Sequence, residues 1–306
     1  MKKILALAAF FGVSAAIAQP KVVEKAIIKA KTEVTFPENF APPGGGDGGG
    51  PGGGGFSMPR DMETNTTTTF SPNFMKTESM SDFGHNTVIV DRANKKTTTL
   101  IEAMGRKTGF YSTDADAEAQ RARMDSMRNA RRDSLAALGI TFRDNKPELI
   151  YSDETKKISG YTCKKVTIKT TGQNGQVNES VVWYNPEFKI SPKSSAPNAT
   201  AGGGFGGPGG GGMAMMNGGV QGMNLIEGFP MEYEMTRGNG FKIHMTVLKI
   251  QLEPSIDDKE FEIPKGYDLK PQSAMENGGG FRMIFRNNRS EEHTSELQSR
   301  QYLVCR

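Results

Sequence analysis

Few side chains in this sequence have the types and spacing that chemistry needs. Apart from the last eighteen residues, Cys163 is the only cysteine, and His85 and His244 are the only histidines. No cysteine, aspartate or glutamate stands at metal-ligand spacing beside either histidine. Cys163 lies in GYTCKKV, where a nucleophilic thiol and a packed strand thiol are the alternatives, and the β-rich context favours the packed thiol. We therefore predict no catalytic residue, no metal site and no cofactor.

Methionines and a pair of acids are the remaining candidates for ligands. The methionines at 213, 215, 216 and 223 could hold copper(I) through their thioethers. Their glycine-rich surroundings favour a flexible linker instead. Asp257 and Asp258 form a carboxylate pair, but the following KEFEIPKGY indicates a turn. The sequence thus points to binding or structure rather than to an enzyme.

The first eighteen residues have the pattern of a secretory signal peptide. Lys2 and Lys3 precede an apolar run, and the stretch closes with Ala16-Ile17-Ala18. This order predicts cleavage after Ala18, and the run is short for a bilayer span. We expect a periplasmic or secreted protein with no transmembrane segment after removal of the signal.

The last eighteen residues resemble translated DNA. Residues 289–299 read RSEEHTSELQS and residues 303–306 read LVCR, and both match an in-frame translation of a common sequencing adapter. We expect residues 289–306 to be an artefact that packs against nothing, and processing or fusion scars are set aside before fold reasoning. Cys305 and His293 then carry no functional information.

Composition limits the partners. Lys and Arg number 38 and Asp and Glu 34, which gives a formal net charge of +4. Five of the basic and three of the acidic residues lie in the two end segments, so the remainder is nearly neutral. We expect no nucleic-acid partner. With Cys163 as the one native cysteine, an exported chain has no internal disulfide and depends on its apolar core.

Glycine-rich runs divide the chain. The two long runs lie at 44–55 and 202–222. A phosphate-binding loop would need a strand before such a run and a helix carrying Lys-Ser/Thr after it, and neither run has both. We therefore interpret the runs as flexible segments. The predicted organisation is an N-terminal strand at 19–42, a glycine-rich segment at 43–58, a β-rich domain at 59–270 with a Gly/Met-rich insertion at 193–223, and a flexible tail at 271–288.

Alternating apolar residues predict strands between these runs. Apolar and polar residues alternate from Ala26 to Phe36, and hairpins are expected across 86–103, 160–184 and 229–252. In the last hairpin the alternating apolar residues have odd numbers up to Val247. After it they have even numbers, at Leu248, Ile250 and Leu252. That change predicts a β-bulge near Val247, which would bend the sheet.

One segment is helical by its pattern. Thr113 and Asp116 form a capping box, and Gly139 is the expected end. Methionines and leucines form a weak apolar stripe, and five arginines make another surface basic. Contact with anionic lipid or nucleic acid is one interpretation, but the interleaved acids Asp125 and Asp133 favour a solvated surface. The fold class is mainly β (α+β): a curved antiparallel half-barrel sheet with one long helix.

Two stretches carry a family resemblance. The first is KKISGYTCKKVTIKTTGQNGQVNESVVWYNPEF, and the second begins with GFPMEYEM and ends with VLKIQLEPSIDDKEFEIPKGYDL. This order resembles an uncharacterised bacterial envelope family, domain of unknown function number 4412, which is similar to GLPGLI proteins and to the lipoprotein carrier (LolA-like) superfamily. The resemblance implies a half-open β-barrel that cradles acyl chains. The motif positions are Gly160, Tyr161, Cys163, Trp183, Tyr184, Pro230, Phe261, Pro264 and Tyr267.

The resemblance and the curved sheet together predict a function. We expect an exported envelope protein with an apolar groove that binds lipid or another hydrophobic ligand and is not catalytic. The alternative is a structural or adhesive secreted protein that makes its contacts through the Gly/Met-rich segments. Mass spectrometry of lipid extracted from natively purified protein would distinguish the two interpretations.

Overall fold

The structure is a computed structural model, and it describes residues 19–37, 60–82, 84–103, 105–138, 146–172, 175–191, 220–236 and 240–273. Several predicted segments lie outside these residues. They are the signal peptide at 1–18, the glycine-rich segment at 43–58, most of the insertion at 193–223, most of the tail at 271–288 and the adapter-like end at 289–306.

The described chain is mostly strand. Fourteen strands and one long helix are present in the described ranges, with short 3₁₀ turns at Met223–Leu225 and Asp258–Phe261. The elements are β1 Lys21–Val23, β2 Ala26–Thr35, β3 Asp61–Phe70, β4 Phe74–Ser81, β5 Gly84–Asp91, β6 Lys96–Ala103, β7 Arg106–Thr113, α1 Asp114–Ala137, β8 Glu148–Ile158, β9 Tyr161–Thr171, β10 Val177–Asn185, β11 Phe188–Ile190, β12 Phe229–Thr236, β13 Lys242–Leu252 and β14 Asp268–Pro271.

Twelve of these strands form one curved sheet that does not close. The order is β14-β7-β6-β5-β4-β3-β2-β13-β12-β10-β9-β8, and β1 and β11 form a separate parallel pair. Neighbours are antiparallel except β14 and β7, which run parallel. The predicted mainly-β fold with a curved sheet and one long helix is confirmed. The parallel strands β14 and β1 correct the expectation of a purely antiparallel sheet.

Strand alternation gives the sheet two chemically different faces. We call face A the face that carries Ala26, Ile28 and Val34 of β2, which are buried as the period-two pattern predicts. Side chains that are paired across neighbouring strands lie on the same face. Face B is the opposite face, and from β2 it carries Lys29, Lys31 and Glu33.

The predicted bulge in β13 is confirmed. The register of β13 against β2 shifts between Val247 and Lys249, so Leu248 is the extra residue. Leu248 is 53% exposed, which corrects its assignment to the face of Ile250 and Leu252. An unpaired bulge residue points away from the regular alternation and bends the strand. Similar shifts occur in β10 and β8, and all three contribute to the curvature of the sheet.

Different segments cover the two faces. On face A, the segment 220–228 and the β1–β11 pair cover apolar residues of β2, β9, β10, β12 and β13. On face B, residues of the segment 254–269 cover β4–β7, and Phe261 stacks on Phe74 with ring centres 5.0 Å apart. The sheet therefore buries much of face A at one end and face B at the other.

Helix α1 begins as predicted. The Thr113 hydroxyl accepts a hydrogen bond from the Asp116 backbone N–H, and Asp116 accepts one from the Thr113 backbone N–H at 2.8 Å. No residue of α1 is buried. The expected end at Gly139 lies just outside the described residues, which stop at Leu138. The described helices include none long and apolar enough to span a membrane.

Both histidines of the described residues lie in strands. His85 lies in β5, opposite Met80 of β4 and Glu102 of β6, and the strand begins at Gly84, whose φ is 139°. His244 lies on face B of β13, opposite to the face of Ile243.

Candidate functional site

The Ile-Ser-Gly-Tyr part of the family motif forms the turn between β8 and β9. Ile158 pairs with Tyr161, and the two residues between them have φ values of 51° at Ser159 and 87° at Gly160. Two successive positive φ values are typical of a tight type I′ hairpin. The Ser159 hydroxyl donates to the carbonyl oxygen of Val247 at 2.6 Å, so the turn is fastened to the bulge of β13.

Cys163 is the buried, unpaired thiol that the sequence predicts. It has no exposed surface, and it packs among Ile158, Phe188 and Met231. Its Sγ donates a weak hydrogen bond to the Tyr161 carbonyl at 3.7 Å. Desolvation by burial raises the pKa of this thiol to about 11. A thiol that stays protonated at neutral pH is a poor nucleophile and a poor metal ligand.

Tyrosine and phenylalanine rings pack around this turn. Tyr161 meets Phe188 edge to face at 5.6 Å between ring centres, and Phe188 stacks on Phe229 at 5.3 Å. Tyr184 meets Tyr151 edge to face at 6.0 Å. Burial raises the pKa of the Tyr184 phenol. Such aromatic pairs stabilise beyond the area they bury, so Tyr161 and Tyr184 contribute to the core.

The Gly-Phe-Pro motif joins β12 to β10 at very close range. Pro230 pairs with Tyr184 where the register of β10 shifts. A Cβ atom on Gly228 would collide with the Asn185 carbonyl oxygen and would lie 2.7 Å from the Tyr184 Cδ2. Only glycine permits this approach of two backbones. Gly228 was therefore a fold-determining residue that the motif positions did not include.

Trp183 lies on face B of the sheet, among charged side chains. The ammonium groups of Lys156 and Lys165 lie 5.7 Å and 6.0 Å from the centre of its ring, a cation–π arrangement. A row of ion pairs and histidine–carboxylate contacts continues across face B from these lysines. The pairs are Lys165–Glu154 at 2.8 Å, Lys156–Glu232 at 2.7 Å, Glu232–His244 at 3.6 Å, His244–Glu33 at 3.2 Å, Glu33–Lys31 at 2.9 Å and Lys31–Glu63 at 2.9 Å.

The last three motif positions lie in the other half of the sheet. Phe261 is buried against Ile89 and Leu100. The Lys107 ammonium lies 5.6 Å from the centre of the Tyr267 ring, and desolvation raises the pKa of the Tyr267 phenol. Pro264 is exposed. The structure thus brings Gly160, Tyr161, Cys163, Tyr184 and Pro230 together and leaves Phe261, Pro264 and Tyr267 apart. It supports structural roles for the buried motif positions.

A different part of face A carries a row of hydroxyl side chains. Three directly opposed pairs of hydroxyl residues line β3 and β4, and all six side chains are half-buried. The Thr66 and Ser79 hydroxyl oxygens are 3.5 Å apart, and those of Thr68 and Thr77 are 3.4 Å apart. These bonds are long for O–H···O contacts, so the hydroxyls retain capacity for a closer partner. We call this surface the hydroxyl strip, formed by the pairs Thr64–Ser81, Thr66–Ser79 and Thr68–Thr77.

Asn86 borders the strip with an unsatisfied amide. It lies on β5 directly opposite Ser79, on the same face. Its Oδ1 is the one buried side-chain oxygen or nitrogen, among the described residues, that has no hydrogen-bond partner. Buried polar atoms in folded proteins nearly always have a partner, and an exception calls for an explanation. Because this oxygen is buried, a donor over the strip would reach it only with the Asn86 side chain turned toward the strip.

The strip is electrically neutral and has apolar borders. Every charged side chain of β2, β3 and β4 lies on face B by the strand alternation. Half-buried Ala30 on β2 and Val88 on β5 flank the hydroxyls, and Met245 on β13 lies beyond β2. The surface therefore suits an uncharged polar group attached to an apolar chain. Among the described residues, no group of three histidines, cysteines or acids is arranged to hold a metal.

Sequence reasoning missed this surface. The threonine run from Thr66 to Thr69 indicated only a strand, because β-branched residues favour extended backbone. Alternation alone places Thr66 and Thr68 on one face of that run. Their opposition to Ser79 and Thr77 depends on the register of two strands, and that register could have been proposed from the short turn between β3 and β4.

Comparisons with known proteins are uninformative about function. No protein-family model matches the chain, and no curated protein matches it. Among solved structures, PNGF-II in two crystal forms is similar at TM-scores of 0.34 and 0.33, with 14% and 13% identity. The alignments cover 86% of this chain and 33% and 34% of those chains, so this chain spans about a third of their length. The resemblance to the envelope family stays a prediction.

Proposed function

We propose that this protein is an exported, non-catalytic binding protein whose hydroxyl strip holds the uncharged polar part of a lipid-like ligand. The unpartnered Asn86 Oδ1 at the border of the strip is the observation that carries the proposal. With the Asn86 side chain turned toward the strip, a ligand hydroxyl or amide N–H would donate to this oxygen, which is buried in the ligand-free structure. A neutral hydrogen bond of this kind contributes about 0.5–1.5 kcal/mol, mostly by relieving the desolvated acceptor.

The parts of face A that are already covered and the parts that are half-buried together favour an amphipathic ligand over a purely apolar one. The apolar cluster of face A is filled by the protein's own residues, since Val166, Ile168 and Val182 have no exposed surface. The half-buried part of the face is the part that carries hydroxyls. An acyl chain would contact Val88, Ala30 and Met245, and the polar head would lie among the threonines and serines. This refines the predicted apolar groove.

The absence of charge from this surface sets the ligand class. Because β2, β3 and β4 place their charges on face B, an anionic head group would find no cation on the strip. Placing a charge over half-buried neutral groups without a counter-charge is unfavourable. We therefore propose a neutral head group, such as glycerol, sugar or amide. The structural or adhesive alternative concerns the Gly/Met-rich segments outside the described residues and remains a prediction.

A titration with matched variants tests the proposal. Fluorescent monoacylglycerol is titrated into the wild-type protein and into Thr66→Val and Asn86→Leu, with binding followed by emission. Thr67→Val is the control, because Thr67 lies on the same strand but on face B. We expect Thr66→Val and Asn86→Leu each to weaken binding about two- to tenfold. Equal affinity in all four proteins, or tighter binding by Thr66→Val, would contradict the proposal.

A further inference from the structure

Helix α1 has a face that nothing in the described structure covers. It has 24 residues, and none of them is buried. Met124 and Met127 are 46% and 52% exposed, and Leu138 is 75% exposed. In folded proteins most of a helix's stability comes from packing its apolar face against other elements. Its capping box and alanines support it locally, but its methionines and leucines gain nothing from the sheet.

The five arginines and five acids of α1 are partly separated around its axis, with Asp125 about 20° from Arg132 and Asp116 about 20° beyond Met127. At about 100° per residue, Met124, Met127, Leu135 and Leu138 fall within a sector about 80° wide. Arg131 falls within this sector, and Arg121 and Arg132 flank it on one side. Asp133 and Glu118 lie on the far side with most of the alanines. The helix therefore has one face on which arginines border the apolar stripe, with Asp125 at its edge, and an opposite face that carries Asp133, Glu118 and most of the alanines.

The flanking arginines are mostly free for an external anion. Arg128 is bonded to Asp125 at 3.0 Å, and both side chains are largely exposed. No ion pair or hydrogen bond is shown for Arg121, Arg131 or Arg132 among the described residues. Long arginine side chains can extend past an apolar stripe to reach an anionic surface. The stripe and the cations can therefore engage one surface together.

We propose that this face of α1 docks the protein on an anionic lipid surface. The arginines would pair with lipid phosphates, and the methionines and leucines would enter the boundary between head groups and acyl chains. A nucleic acid would use the arginines but offers no acyl region to the apolar stripe, so the stripe favours a membrane. This inference does not depend on the hydroxyl strip, which lies on a different element.

Co-sedimentation with vesicles tests the docking surface. The full chain is mixed with phosphatidylcholine vesicles that do or do not contain phosphatidylglycerol. The variants are the triple R121Q/R131Q/R132Q and the double M124S/M127S. A119Q/A122Q is the control, because both alanines lie on the opposite face. Far-UV circular dichroism follows the helix content in each sample.

We expect binding only to the anionic vesicles, weakening as salt is added, with a gain in helix content. Each basic residue near such a surface changes affinity about fivefold, so the triple variant should bind about 100-fold more weakly. The double variant should also bind more weakly, and A119Q/A122Q should bind as wild type does. Equal binding to neutral vesicles, equal loss in the control, or arginine-dependent binding to duplex DNA in place of vesicles would overturn the proposal. Asn86→Leu should retain vesicle binding, which separates this surface from the strip.

Discussion

Replacing Gly228 with alanine probes the closest backbone contact in the family-motif region. The new Cβ would collide with the Asn185 carbonyl oxygen and lie 2.7 Å from Tyr184 Cδ2, at a φ of 156°. Neither neighbour can move freely, because Asn185 is fully buried and donates from its Nδ2 to the Thr162 carbonyl at 3.1 Å. Overpacking costs about 1–3 kcal/mol and an unfavourable backbone region about 1–3 kcal/mol more.

Gly160 provides the matched comparison. Its φ is 87°, but a Cβ there would meet nothing within 4 Å. Gly160→Ala should therefore cost only the left-handed strain, about 1–2 kcal/mol. For a domain of this size each kcal/mol lowers the melting temperature by about 2–4 °C. We expect Gly228→Ala to lower it at least about twice as far as Gly160→Ala.

Thermal melts followed by circular dichroism, with urea unfolding as a second measurement, decide the comparison. Both variants and the wild type are measured in one buffer, with ligand-free protein. Equal losses of stability in the two variants would refute the reasoning, because they would show that the contact with Asn185 costs nothing. A Gly228→Ala protein with wild-type stability would refute it more directly.

Three further outcomes follow from the same structure. Cys163→Ala should cost about 1–2 kcal/mol, and a bulky thiol reagent should label the wild type only after unfolding, so rapid labelling of native protein would contradict its burial. Ser159→Ala removes the donor to the Val247 carbonyl and should cost about 1 kcal/mol in urea unfolding, whereas no change would mean the bond contributes nothing. Hydrogen bonding from Lys31, and then from His244, holds the pKa of the Glu33 carboxyl below its usual range. The ionised Glu33 carboxylate therefore stabilises the fold above about pH 4.3, and this contribution is lost as the pH falls through the lowered pKa of the folded state. The difference in melting temperature between wild type and Glu33→Gln should shrink toward about pH 3, and a difference that grows in acid would reverse the assignment.

Local patterns predicted much of the fold. Alternation identified the buried side of β2, the change of parity after Val247 located the bulge, and Thr113 with Asp116 marked the start of α1. Each of these signals is contained in a few neighbouring residues, where backbone geometry and side-chain period act directly.

Long-range pairing could not be predicted in the same way. β2 pairs with β13, more than two hundred residues away, and β14 returns to lie parallel to β7. No local signal specifies these neighbours. The neutral character of the hydroxyl strip and the unsatisfied Asn86 depend on which strands lie side by side. The candidate site therefore became visible only in the folded sheet, while most of the motif residues that the sequence made prominent build turns and core.

Ligand copurification tests the central claim most directly. Protein purified under native conditions from an exporting host is extracted with organic solvent, and the extract is analysed by mass spectrometry. Thr66→Val combined with Asn86→Leu is the comparison, and Thr67→Val is the control. The account predicts a lipid with an uncharged head group in the wild-type and control extracts, and much less of it in the double variant. No lipid in any extract, or an equal amount in all of them, would contradict it.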